Sequence, residues 1–103
     1  MNERKIALKV DDRDNVATIF AQGVADGDQV EIRDKRGHYE TVCVRGDVPY
    51  GHKIAAAAIP QGAHVIKYGE SIGAASRDIA PGEYVHIHNM EALRGRGDIR
   101  EET

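Results

Sequence analysis

Ile59-Pro60-Gln61-Gly62-Ala63-His64-Val65 is the stretch on which the fold turns. An apolar residue leads into a turn whose Gly is free to take positive φ, and a strand follows. The pattern recurs at Val24-Ala25-Asp26-Gly27-Asp28-Gln29-Val30 and at Ile79-Ala80-Pro81-Gly82-Glu83-Tyr84-Val85. Such recurrence predicts a mainly β fold held by tight turns. The copies are unequally spaced, so the chain does not read as a repeat protein.

Outward from these turns, Ile6-Ala7-Leu8-Lys9-Val10 alternates as a half-buried strand does, with Ile6, Leu8 and Val10 on one face. The period then changes. Val16, Ala17, Ile19 and Phe20 fall at helical spacing, with Asp14 placed to cap the first turn and Gly23 to end the last, which predicts one short N-terminal helix. Gln29 to Arg33 alternates again, and Asp34-Lys35-Arg36-Gly37 turns the chain into Tyr39 to Val44, a hairpin signal. Ala55 to Ala58 has too little room for a helix before Ile59-Pro60 and reads as a strand of small side chains. The expected organisation is one domain over residues 1–90 and a charged tail over 91–103, loose or ordered only against a partner.

The composition narrows the function. A chain of 103 residues is one domain, too small to hold a deep active site comfortably. With 14 basic against 17 acidic residues and 5% aromatics, it lacks the clustered cations and stacking rings of a nucleic-acid binder. The single Cys43 allows no internal disulfide and, lying in an apolar alternation, reads as a small hydrophobe. The longest apolar run, Ile54 to Ile59, is far short of a membrane span, and nothing near the start resembles an export signal, so the expected location is the cytoplasm.

Gly51-His52-Lys53 and Glu83-Tyr84-Val85-His86-Ile87-His88-Asn89 bound the central segment and carry three of the five histidines. If the ends meet in space, they form one patch with an acid/base group, a fixed cation and imidazole ligands. On a strand, His86 and His88 would face the same way with Cα atoms roughly 7 Å apart, able to converge with Tyr84 on a metal or anion, while Val85 and Ile87 faced the core. The same histidines also suit half-exposed positions of an amphipathic strand, and no Cys-rich or carboxylate-rich motif completes a metal set. His52 and Lys53 supply an imidazole for proton transfer and an ammonium for a carboxylate, or else sit in a solvated turn. Asn15 lies at the expected helix start, where free backbone N–H groups favour anions.

Gly51-His52-Lys53-Ile54-Ala55, Ile59-Pro60-x-Gly62, Val65-x-Lys67-Tyr68-Gly69-Glu70-x-Ile72-Gly73 and Ile79-x-x-Gly82-x-x-Val85-His86-x-His88-Asn89, in that order, resemble the SAF domain of the altronate/galactarate dehydratase family. Asp14-Asn15-Val16-Ala17 matches that family's expected helix start. The resemblance spans roughly residues 6–90 and implies a β-clip fold. It also implies a hydro-lyase reaction on a sugar acid, or a related lyase reaction on sulfolactate, using iron or manganese and a larger catalytic chain. By position it marks His52, Lys53, Tyr68, Glu70, His86, His88 and Asn89: His52 or His86 for proton transfer or metal contact, His88 as a further metal contact, and Lys53, Asn89 and Asn15 for substrate. The family more often has a larger or charged residue within the Ala55 to Ala58 stretch, a departure that touches substrate contacts and not the fold.

Two functions from different classes follow. One is the small subunit of a two-chain, metal-dependent lyase; the other is a non-catalytic β-clip module that binds a carbohydrate, a small acid or a protein. Exposed sheet edges and a charged tail make a homo-oligomer a further expectation.

Overall fold

The computed structural model describes residues 5–92. The chain is mainly β, with nine strands and no helix among the described residues. They are β1 (Lys5–Leu8), β2 (Val16–Ile19), β3 (Gln29–Arg33), β4 (Tyr39–Cys43), β5 (Lys53–Ala55), β6 (His64–Lys67), β7 (Glu70–Ala75), β8 (Tyr84–Val85) and β9 (Met90–Ala92). The larger sheet runs β4-β3-β1-β2-β5-β8 and the smaller β6-β7-β9. β1 and β3 pair in parallel, and the other ladders are antiparallel.

The three Gly turns are built alike. Asp28 N donates to Ala25 O, Ala63 N to Pro60 O and Glu83 N to Ala80 O at 2.9–3.0 Å. Gly27, Gly62 and Gly82 are the third residues of these turns, with φ of 92°, 88° and 86°. The apolar residues on either side, Val24, Val30, Ile59, Val65, Ile79 and Val85, are all buried. Each turn therefore drops one residue into the core on entry and one on exit.

The expected N-terminal helix does not form; its centre is β2. Strand β2 lies between β1 and β5 and is buried along its whole length. Ala17 and Ile19 enter a first core with Ala7, Val24, Val30, Ile32, Val44, Val48 and Ile54. Val16, on the opposite face, enters a second core with Ala55, Ile59, Val65, Ala75, Ile79 and Val85. A strand buried on both faces loses its alternation, and four consecutive semi-apolar residues then imitate a helical stripe. Phe20, counted in that stripe, is exposed and meets Tyr50 edge-on at 6.0 Å. Asp14 caps no helix; its carboxylate accepts hydrogen bonds from Val10 N, Asp11 N and Gly69 N at 2.8–3.2 Å.

Other expectations shift by smaller amounts. In β1 the buried residue is Ala7, while Leu8 and Val10 are exposed. Ala7 faces Ile19 on one side and Ile32 on the other, and their larger side chains fill that face. The β3–β4 hairpin forms as expected, with Gln29 opposite Cys43 and Arg33 opposite Tyr39. Cys43 is an exposed free thiol, because β4 is an edge strand with one face on solvent. β5 ends at Ala55, where Gly82 N donates to Ala55 O; Ala56 and Ala57 form a bend, and the strand expected through Ala58 does not continue. Glu91 and Ala92 pair with β7 as part of β9, and the rest of the expected tail lies outside the described residues. No helix among the described residues is long and apolar enough to cross a membrane.

Candidate functional site

His52 is delivered by a turn of the same build as the other three: its N–H donates to Pro49 O at 3.1 Å, and Gly51 takes φ 85°. β5 starts immediately after it and pairs with β8, setting Lys53 opposite Val85 and Ile54 opposite Tyr84. The two ends of the central segment therefore meet. Residues of one face alternate along a strand, so His52 and Tyr84 share a face and Lys53 takes the other.

Four rings gather there. The Tyr84 hydroxyl and His52 Nδ1 share a hydrogen bond of 2.8 Å. His86 stacks on Tyr84 with ring centroids 5.7 Å apart and planes 6° from parallel, and its ring lies 5.1 Å from that of His52. His88 meets Tyr84 from another side at 5.4 Å. With Nδ1 engaged by the phenol, Nε2 is the His52 nitrogen left to take or give a proton. Tyr84 thus orients the imidazole, a role its place one residue before the buried Val85 does not advertise.

His86 and His88 do not lie on a strand. β8 ends at Val85, and His86 to Asn89 form a turn closed by Asn89 N donating to His86 O at 3.1 Å. Ile87, expected in the core, is 79% exposed at the tip of that turn. Asn89 explains why. Its side chain is fully buried, its Oδ1 accepts from His86 N and its Nδ2 donates to Tyr84 O, both at 2.9 Å. An amide engaged at both ends in folding its own turn holds His86 against Tyr84. Asn89→Ala is expected to cost about 1–3 kcal/mol, the range for orphaning buried backbone groups, and to broaden the His86 ring resonances. Urea denaturation and NMR of the variant check both outcomes.

Asn15 lies elsewhere. Its Nδ2 donates to His64 O at 2.9 Å and its Oδ1 accepts from Ile66 N at 2.7 Å, so the side chain clamps β6 onto the start of β2. Its backbone N–H donates to Ile66 O, so the free N–H groups of a helix start are absent there. Tyr68 and Glu70 belong to the β6–β7 hairpin, Tyr68 at its tip with φ 57°.

The electrostatics favour neutral imidazole. Burial pushes the His86 pKa below its ordinary 6.5, and Lys53, His52 and His88 push it the same way by charge repulsion. Lys53 is likewise lowered from 10.5, first by burial and then by Lys67. Since folding depresses the His86 pKa, its contribution to stability is complete above pH 6.5 and is lost as pH falls towards the lowered value. NMR titration of the His86 ring should give a midpoint below 6.5, and His86→Gln should flatten the acid side of the stability profile. A midpoint at or above 6.5 would contradict this environment.

Among the described residues, no three His, Cys, Asp or Glu side chains are grouped to hold a metal ion. His86 and His88 each lie against the Tyr84 ring and no third described donor joins them, so the described donors do not fit iron or manganese as a complete set.

Comparison with known proteins agrees with the geometry. A family model of the altronate/galactarate dehydratase SAF domain matches residues 5–93. Altronate dehydratase of Escherichia coli K12 is 45% identical over 82 residues, covering 80% of this chain and 15% of that protein. The (2R)-sulfolactate sulfo-lyase subunit alpha of Chromohalobacter salexigens is 33% identical over 85 residues, covering 79% of this chain and 87% of that one. The altronate dehydratase of Bacillus subtilis is 33% identical over 87 residues, which is 16% of its length, so the chain spans about one sixth of the dehydratases it matches. A match over nearly the whole described sheet, including both ends of the ring cluster, means that the chain belongs to the altronate/galactarate dehydratase SAF-domain family.

Proposed function

We propose that this chain is the small subunit of a two-chain lyase acting on a hydroxy acid. The enzyme removes the proton beside the carboxylate and expels the neighbouring group: hydroxide, leaving as water, from a sugar acid such as altronate or galactarate, or the sulfonate, leaving as sulfite, from sulfolactate. The observation that carries the reading is the gathering of His52, Tyr84 and His86 on an open face of a small domain, with half-buried Lys53 on the other face of β5 and its charge felt at His86. A patch of this kind has acid/base groups but no walls, and a larger chain closing over it would exclude water.

Lys53 holds the substrate carboxylate, which acidifies the adjacent C–H. His52 Nε2 takes the proton while Tyr84 fixes its ring, and neutral His86 stands beside it as a second proton carrier. Where the larger chain held iron or manganese, His86 and His88 are the residues of this chain that would add imidazole to its donors, and the metal would supply Lewis acidity. The same domain makes up 87% of a sulfo-lyase alpha subunit and 15% of a dehydratase, so in one relative it accounts for nearly a whole subunit and in the other for part of a longer chain. The proposed compartment is the cytoplasm, where the free Cys43 stays reduced.

The test is turnover of aldonates, aldarates and sulfolactate, with iron or manganese, by this chain alone and with its larger partner. Turnover that requires both chains supports the proposal. No turnover of any panel member by a verified two-chain complex would move the assignment to the second reading, a non-catalytic binding module.

A further inference from the structure

The second core carries a lysine on its rim from each sheet. Lys53 lies two residues before Ala55 on β5 and opposite Val85 on β8, so its stem runs along the face that holds both. Lys67 lies two residues after Val65 on β6, and Ile72 packs on the same core from β7. Ala55, Val85 and Val65 are all fully buried in this core, so the two stems approach it from facing sheets. β6 is fixed there by the Asn15 clamp onto β2, the neighbour of β5.

Both lysines are half-buried, and neither makes an ion pair among the described residues, although Glu70 stands opposite Lys67 in the β6–β7 ladder. Lys5, also half-buried, differs by pairing with Asp28 at 2.8 Å. The Lys67 ammonium lies 5.0 Å from the centre of the Tyr68 ring, at the hairpin tip. The charge on Lys67 weighs against the charge on Lys53, and that on Lys53 against His86, so the pair is continuous with the ring cluster. Two unpaired, half-buried ammonium groups repel each other until an anion neutralises them.

We propose that Lys53 and Lys67 form a two-ammonium seat for a dianionic hydroxy acid, with Lys67 as a substrate-binding residue for the second anionic group. The inference rests on the lyase reading for the identity of the ligand as a hydroxy acid. One carboxylate sits on Lys53, whose charge is felt at His86, and the second anionic group of the same molecule reaches Lys67. A monocarboxylate leaves one ammonium uncompensated, so the seat discriminates by charge at the far end of the substrate.

Galactarate and galactonate differ only at that end, carboxylate against hydroxymethyl, and each is titrated into this chain by itself and followed by amide NMR shifts. Galactarate is expected to bind at least about 10-fold more tightly, a preference that weakens as salt is raised. Lys67→Met removes the preference while leaving galactonate binding within about 2-fold, and Lys67→Arg retains it. Lys67→Gln replaces the Met variant if circular dichroism shows that one unfolded. Equal affinities in the unaltered chain, a preference that survives loss of Lys67, or no saturable binding of galactarate would each overturn the proposal. Because binding is read without turnover, the outcome is independent of whether the two-chain complex is a lyase.

Discussion

His52→Ala is expected to lower turnover of the two-chain enzyme by roughly 10²- to 10⁴-fold, the usual contribution of a positioned proton carrier. The effect should be almost purely chemical. The structural bonds of position 52 are made by its backbone: the N–H donates to Pro49 O, and the C=O accepts from Ile19 N at 2.7 Å. Alanine keeps both, so the variant should fold and bind its partner while turnover falls. Tyr84→Phe separates orientation from proton transfer. It removes the partner of Nδ1 but leaves the imidazole, so its loss should be smaller and should appear as a displaced pH profile. If His52→Ala retained activity within about 10-fold, His52 would not be the proton carrier, and His86 would inherit the role.

Gly82→Ala is expected to be the most destabilising small substitution in the domain. Gly82 takes φ 86°, and a Cβ there would sit 2.1 Å from the carbonyl oxygen of Cys43. Neither party is a flexible side chain. Gly82 N is bonded to Ala55 O and Gly82 O to Arg45 N, at 2.8 and 2.9 Å, so the glycine cannot retreat without breaking ladders on two sides. The left-handed φ costs about 1–2 kcal/mol and the overpacking about 1–3 kcal/mol, together a large share of the 5–15 kcal/mol typical of a whole domain. Gly62→Ala is the control. It has nearly the same φ, 88°, with no atom within 4 Å of the added Cβ, and should lose only the backbone part. Equal urea midpoints for the two variants would mean that the close approach to Cys43 is relieved at no cost. Since Gly82 leads directly into Tyr84, the variant should also lose the His52 hydrogen bond, visible as altered imidazole shifts.

Much of this was legible in residues close together in the chain. The three Gly turns needed only a glycine at the third position and an apolar residue on each side, and the β3–β4 hairpin only two alternating runs joined by four polar residues. The meeting of His52 with Tyr84 and His86 followed from treating the central segment as one folded-back β unit. The false helix over Val16 to Ile19 came from the same local logic, applied to a strand whose neighbours could not be seen.

The sequence by itself determined the fold class, the turns and the meeting of His52 with Tyr84, His86 and His88, because positive-φ glycines and period-two alternation are properties of the backbone within a few residues. Only the tertiary structure decided that β2 is covered on both faces, that Ala7 and not Leu8 points inward, and that His86 to Asn89 leaves the strand as a turn. It also decided that the amides of Asn15 and Asn89 hold backbone, and that residues of both sheets, Ala55 and Val85 from one and Val65 from the other, meet in the second core. Each of these depends on what packs against a residue from far along the chain, and that burial sets which face is inside, which polar group must be satisfied and which charge feels another.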